Sequence, residues 1–295
     1  MRILITGATG FIGSHLLPRL MQEHHELVLF SRHPEQARRR YPMAQIIARW
    51  HELEGKVDAV INLAGEPIAD RPWSASRKQL LRDSRIALSQ AMVVRLGQIG
   101  QVPQVVLQGS AIGYYGDTGS RPIDEECPAG EDFAAQLCAD WEAVLKPLQQ
   151  AGSRVCYLRT GLVLGQGGGM LQRLLLPFRL GLGGRLGDGQ QYMSWIHVDD
   201  WVGACLHLLY HNELDGPFNL TAPQPVQNAE FTRLLGAALH RPTFLPVPAK
   251  LLRLVLGDMS QLLLGGQKVV PMHLKKTGYL FLYATLQDAL SHLVR

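Results

Sequence analysis

The sequence predicts an α/β fold: a doubly wound parallel sheet carrying a smaller, mixed C-terminal cap. Three observations point to it. Short apolar runs alternate with helix-period stretches over the first 160 residues. A glycine-rich turn joins the first run to the first helix, and past residue 165 the texture changes to glycine clusters, prolines and short elements.

Taken in order, Arg2–Thr6 is a short apolar run ending in glycine, as a buried parallel strand would be. Phe11–Gln22 carries apolar residues at helical spacing. The strand signal recurs at 26–31 (ELVLFS), 58–63 (DAVINL), 104–108 (QVVLQ) and 154–159 (RVCYLR), with helical stretches at 78–99 and 133–150 between them. A further apolar helix at 171–180 lies between glycine clusters at 165–169 and 181–189. Residues 1–165 are therefore expected to form the nucleotide-binding half, its sheet completed by later segments, and 166–295 the cap, which ends in a distinct tail from about 245.

Composition narrows the function. Hydrophobic residues at 46% and charged residues at 18% are those of a globular chain. The net charge is only +4 and the densest basic run is Arg38-Arg39-Arg40, so nucleic acid is not an expected partner. Cys127, Cys138, Cys156 and Cys205 show no CxxC spacing and no metal site is expected. No stretch of eighteen apolar residues occurs, and no basic n-region precedes an apolar h-region. The expectation is a cytoplasmic monomer or homodimer that takes a small-molecule substrate, without a membrane partner.

The glycine turn carries the most chemistry. In Thr6-Gly7-Ala8-Thr9-Gly10-Phe11-Ile12-Gly13 the glycines fall at GxxGxxG spacing between strand and helix, the pattern of a Rossmann dinucleotide site. Gly7 permits the tight turn, Gly10 lets backbone approach a pyrophosphate, and Gly13 allows helix to pack on strand. The N–H groups at the helix start, around Phe11 and Ile12, face the phosphate. At the tip of the second strand stand Ser31 and Arg32, with no acid to accept from a ribose 2′-hydroxyl. A hydroxyl and a guanidinium suit a 2′-phosphate, so the expected cofactor is NADP(H).

Further motifs, in this order, resemble the extended short-chain dehydrogenase/reductases. Residues 58–65 (DAVINLAG) are similar to that family's DxVxNLAG segment, residues 109–116 (GSAIGYYG) to its SSxxVYG stretch, residues 158–165 (LRTGLVLG) to its LRxxNVYGP segment, and residues 195–200 (WIHVDD) to its FIHVDD signature. A closer resemblance is to the subgroup called epimerase family proteins, carried by Asn62-Leu63-Ala64-Gly65-Glu66, Trp141-Glu142, residues 177–184 (PFRLGLGG) and 265–271 (GGQKVVP). The resemblance implies that Ser31, Arg32, Leu63, Ala64, Gly65 and Val163 lie at the cofactor, with Arg85 a further candidate on the helix after the 58–63 strand.

One departure limits what the resemblance implies. The parent family's chemistry uses Tyr-x-x-x-Lys on one helix face, lysine lowering the tyrosine pKa. An ungapped match from residues 109–116 puts Gln136 and Asp140 at those two positions and Ala111 at the usual hydroxyl position. The remaining candidates for proton transfer are Ser110, Tyr114 and Tyr115, with Arg159 as a possible activating cation. One of the two tyrosines is expected to pack under the sheet. His197 reads as an interdomain hydrogen-bonding group, and Asp199 and Asp200 as caps of the following helix. Two functions fit: an NADP(H)-dependent oxidoreductase or epimerase acting on a small hydroxyl or carbonyl compound, or an NADP(H)-binding sensor without turnover.

Overall fold

The computed structural model describes residues 1–294. Seven parallel strands form the central sheet: β1 (Arg2–Thr6), β2 (Glu26–Phe30), β3 (Gln45–Ile47), β4 (Ala59–Asn62), β5 (Val105–Ala111), β6 (Arg154–Thr160) and β7 (Gly216–Leu220). Their order across the sheet is β7-β6-β5-β4-β1-β2-β3. The order reverses direction between β1 and β4, which opens a crevice beyond their carboxyl ends.

Alternation along each strand assigns the two faces. Ile3 and Ile5 turn to the face covered by α1 (Phe11–Gln22), where Leu16, Leu17 and Leu20 meet Trp201 and Leu208 of a later helix. Leu4 turns the other way, with Val28, Val60 and Val106, onto Met92 and Leu96. Covered on both sides, the strands are mainly apolar up to their carboxyl ends, and this is the signal the sequence shows.

The remaining helices are α2 (Pro34–Arg40), α3 (Ala75–Asp83), α4 (Ile86–Gln98), α5 (Phe133–Ala143), α6 (Lys146–Gln150), α7 (Gly169–Arg179), α8 (Val198–Tyr210), α9 (Asn228–Ala238), α10 (Ala249–Leu256), α11 (Gln261–Leu264), α12 (Met272–Lys276) and α13 (Leu286–Leu293). Two stretches that the sequence reads as single helices are broken. The 78–99 stretch divides where the Ser84 hydroxyl donates to Leu81 O at 3.0 Å and accepts from Glu66 N at 3.0 Å, so the chain leaves the helical ladder. The 133–150 stretch divides before Pro147, whose ring fits the first turn of the next helix.

Two strands have no local signal of their own. β3 is three residues long, and β7 (GPFNL) contains Pro217, which an edge strand accepts because one side of its ladder is unpaired. The cap has its own core, in which Leu171, Phe178 and Trp195 pack against Phe231, Leu235, Leu286 and Leu290. Its tail returns to the sheet. Asp200, fully buried, accepts from the backbone N–H groups of Leu282 (2.7 Å) and Tyr283 (2.9 Å). The expectation that Asp200 caps α8 is thereby corrected: His197 occupies the cap, its Nδ1 accepting from Asp199 N at 3.0 Å.

Candidate functional site

The crevice at the switch point is lined first by the turn after β1. Gly7 lies at φ +72°, and a Cβ there would sit 2.7 Å from Leu63 C and 2.8 Å from Ala64 N. Only glycine brings the ends of β1 and β4 this close. A Cβ on Gly13 would meet Ala8 O at 2.5 Å, so this position seats α1 against the turn. Gly10 is different: exposed, with only Gly7 O within 4 Å (at 3.2 Å) of a Cβ built there. As the N-cap of α1 it brings no side chain to the first N–H groups. The result is an open backbone cradle at the positive end of a twelve-residue helix.

Below the cradle runs a buried polar network that no local pattern signals. Thr6 Oγ1 bonds Asn62 Oδ1 and accepts from Ala64 N at 3.1 Å. Asn62 Nδ2 donates to Ser89 Oγ and Gln108 Oε1, both at 2.8 Å, and Trp141 Nε1 donates to Ser89 Oγ at 3.0 Å. These bonds fix the tips of β1, β4 and β5 relative to one another.

At the tip of β2, Ser31 is buried, its Oγ accepting from His33 N at 3.1 Å, and Arg32 is 67% exposed in its side chain. Arg32 Nη1 reaches Glu66 Oε1 at 2.7 Å, and Arg77 Nη1 stands 3.4 Å from Glu66 Oε2. Hydrogen bonding to Arg32, with Arg77 adding to it, holds the Glu66 carboxyl below its ordinary range. Arg85 is no surface arginine. Its guanidinium lies 5.3 Å from the Trp141 ring centroid, donates to Glu66 O at 3.0 Å, and stands 2.8 Å from where a Cβ on Gly65 would be. Three guanidinium groups thus converge where β2 and β4 end. On the far wall, Phe11 lies beneath Gly165 and Gly168, and Val163 is buried in the short strand Leu162–Leu164.

The carboxyl ends of β5 and β6 hold a buried charged cluster. Glu142 Oε1 accepts from Ser110 Oγ at 2.7 Å and Arg159 Nε at 2.9 Å, and Oε2 accepts from Arg159 Nη2 at 3.0 Å. Arg159 Nη1 donates to Tyr115 Oη at 3.1 Å, and Tyr115 Oη donates to Asn219 Oδ1 at 2.7 Å. Burial raises the Tyr115 phenol pKa, opposite to what acid catalysis near neutrality needs. Ser110 and Tyr115 are therefore spent inside the protein, and Arg159 is paired with Glu142. Tyr114 stands apart: half-buried, its ring centroid 3.5 Å from the Arg159 guanidinium carbon, its hydroxyl bonded to no described residue. At the positions matched to Tyr and Lys of the larger family, Gln136 Nε2 donates to Asp140 Oδ1 at 2.8 Å, and Asp140 Oδ2 receives Arg82 Nη2 at 2.7 Å.

The cap reaches across the crevice. Arg173 of α7 donates to Ala69 O at 3.0 Å and pairs with Asp70, while Lys78 of α3 pairs with Asp258 at 2.7 Å. Elsewhere in the cap, His197, Asp199 and His292 bring ligand-type atoms within 4.8 Å of one another, and His197 Nε2 lies 3.1 Å from His292 Nδ1. Among the described residues no helix is long and apolar enough to cross a membrane.

A doubly wound sheet with a glycine turn at its switch point makes this a Rossmann-type protein. The model of the NAD dependent epimerase/dehydratase family matches residues 3–220, and a domain of unknown function, DUF1731, matches residues 247–293. An epimerase family protein of Mycobacterium tuberculosis is 41% identical over 299 residues, covering 98% of this chain and 96% of its own. The human epimerase family protein SDR39U1 is 37% identical, with both chains fully covered. A crystal structure of that human protein (isoform 2) with NADPH superimposes with a TM-score of 0.91 at 36% identity, covering 100% of this chain and 99% of its own. The chain belongs to the NAD dependent epimerase/dehydratase family, among its epimerase family proteins. A related Arabidopsis protein is described as chloroplastic, so membership alone implies no cytoplasmic location.

Proposed function

We propose that the chain binds NADP(H) along the crevice and acts as an oxidoreductase or epimerase on a small hydroxyl- or carbonyl-bearing compound. The observation that carries the cofactor assignment is the open Gly10 cradle beside a cluster of arginines, with no acid at the tip of β2. The residues fit a phosphorylated dinucleotide. Gly7, Gly10 and Gly13, with the first N–H groups of α1 at Phe11 and Ile12, would hold the pyrophosphate. Ser31 and Arg32 would hold the 2′-phosphate, Arg32 leaving Glu66 while Arg77 stays to neutralise it. Leu63, Ala64 and Gly65 would line the adenosine side with Arg85, and Val163 the opposite end. A human relative solved with NADPH supports the same choice.

Arg32→Ala should then lower NADPH affinity by about 1–3 kcal/mol and leave NADH nearly unchanged. Titration calorimetry with both nucleotides checks it; equal affinities in the unaltered protein would remove the case for NADP(H).

The nicotinamide, when bound, supplies hydride chemistry. Of the three proton-transfer candidates, Tyr114 is the one whose hydroxyl no described residue bonds, and the bridging of the crevice by the cap supports turnover over simple sensing. Given an active substrate, Tyr114→Phe should lower turnover at saturating NADPH by about 10²–10⁴. Tyr115→Phe should cost stability instead, about 1–3 kcal/mol, since Asn219 Oδ1 loses its donor. Full activity in Tyr114→Phe would overturn the assignment. The sensor reading draws on Gln136, Asp140 and Arg82, which fill the usual acid–base positions with an ion pair. Tight NADPH binding without turnover across a broad carbonyl panel would favour it.

A further inference from the structure

The cap carries an apolar surface that no described residue covers. No side chain of helix α10 is fully buried. Leu251, Leu254 and Val255, at positions i, i+3 and i+4, share one of its faces and are 50%, 83% and 62% exposed. Phe244, in the segment leading into α10, is 72% exposed, and Leu176 and Leu180 at the end of α7 are 66% and 65% exposed. The two segments are joined: Arg241 Nε donates to Arg179 O at 2.8 Å, Val247 N to Arg185 O at 2.9 Å, and Gly187 N to Val247 O at 2.9 Å. Single exposed leucines are ordinary, but a run of this kind on adjoining segments is not.

Charge names the occupant. Residues 169–187 and 240–256 contain the cations Arg173, Arg179, Arg185, Arg241, Lys250 and Arg253 and no Asp or Glu. Lys250 and Arg253 are exposed and form no ion pair among the described residues. Around α10, the outermost Leu254 has Leu251 and Val255 on one side and Lys250 and Arg253 on the other, while Leu256 turns inward, and apolar and basic side chains exposed together in this way suit a lipid headgroup layer. A second copy of the chain set on this face would bring these same cations against one another. The helix is also held with its apolar face outward, because Leu256 and Met259 at its end pack into the Trp73 and Leu81 cluster and Asp258 is tied to Lys78.

We propose that α10, with the end of α7, is a peripheral docking surface for an anionic phospholipid membrane. The sequence expectation of no membrane partner rested on the absence of a spanning run, a criterion blind to a helix lying in the interface. Docking would set one flank of the cap on the lipid surface without inserting the Rossmann half.

Co-sedimentation of the full chain with vesicles tests this. At low ionic strength, partition onto vesicles rich in phosphatidylglycerol should exceed that onto pure phosphatidylcholine by at least about tenfold and weaken with added salt. Leu254→Glu should lower it by at least about tenfold, and Lys250→Glu or Arg253→Glu by about fivefold or more each. An unchanged melting temperature and unchanged NADPH titration would show that Leu254→Glu is folded. Absence of partition onto phosphatidylglycerol vesicles, or partition that survives Leu254→Glu, overturns the proposal. So does a dimer on gel filtration that Leu254→Glu splits without any vesicle binding, which would assign the face to self-association. Loss of the NADP(H) reading would leave this result untouched, since no cofactor residue lies on the surface.

Discussion

Gly10→Val is expected to weaken NADPH binding by at least about a hundredfold, roughly 2.7 kcal/mol, while the protein stays folded. The reason lies in where its Cβ would point. Apart from Gly7 O at 3.2 Å nothing stands within 4 Å, so the isopropyl group has room in the free protein and occupies the space over the N–H groups of α1. Phosphate then loses both its path and its donors. Gly13→Val supplies the contrast. There the Cβ would collide with Ala8 O at 2.5 Å and Gly7 O at 2.6 Å, so the turn itself must shift and the melting temperature should fall with the affinity. Calorimetric titration and thermal unfolding of both variants separate the two effects. A Gly10→Val protein that binds NADPH normally would mean the cofactor does not cross this turn.

Arg159→Ala should produce the largest loss of stability of any single change considered, about 3–5 kcal/mol. Arg159 is 4% exposed and Glu142 8%, and their two-point contact is the main compensation for burying the carboxylate. Removing the guanidinium leaves Glu142 with the Ser110 hydroxyl as its remaining side-chain donor, takes a donor from the Tyr115 oxygen, and strips Tyr114 of the cation over its ring. Urea unfolding measures the loss. Replacing Glu142 and Arg159 together by leucine should recover part of it, because no unpaired charge then stays inside. A loss under about 1 kcal/mol in Arg159→Ala would show that water reaches the cluster and the pair is effectively solvated.

What the sequence revealed was local. The β1–turn–α1 unit is encoded within residues 2–22, so its strand, glycines and helix are read together. The tip of β2 at Ser31 and Arg32 is equally short-range. The departures lie where a side chain acts across the chain. Ser110 looks available in sequence, yet its partner Glu142 comes from a helix 32 residues on. Asp200 sits at a helix start and reads as a cap, but its ligands arrive 82 and 83 residues later. Tyr114 and Tyr115 are neighbours of one residue type, and only the turn Ile112–Tyr115 decides which hydroxyl is sealed inside. The outward apolar face of α10 was illegible for a related reason: apolar spacing alone does not say whether a helix face is covered.

The tail clasp at Asp200 also orders events during synthesis. As the chain leaves the ribosome, β1 to β6 and α8 emerge long before residues 282 and 283. Until those two amides arrive, the Asp200 carboxylate lacks the backbone donors that hold it in the folded protein. The Gln166 side chain, in the loop over Phe11, likewise waits for Leu293 O at 3.2 Å. The nucleotide-binding half is therefore translated first and locked last.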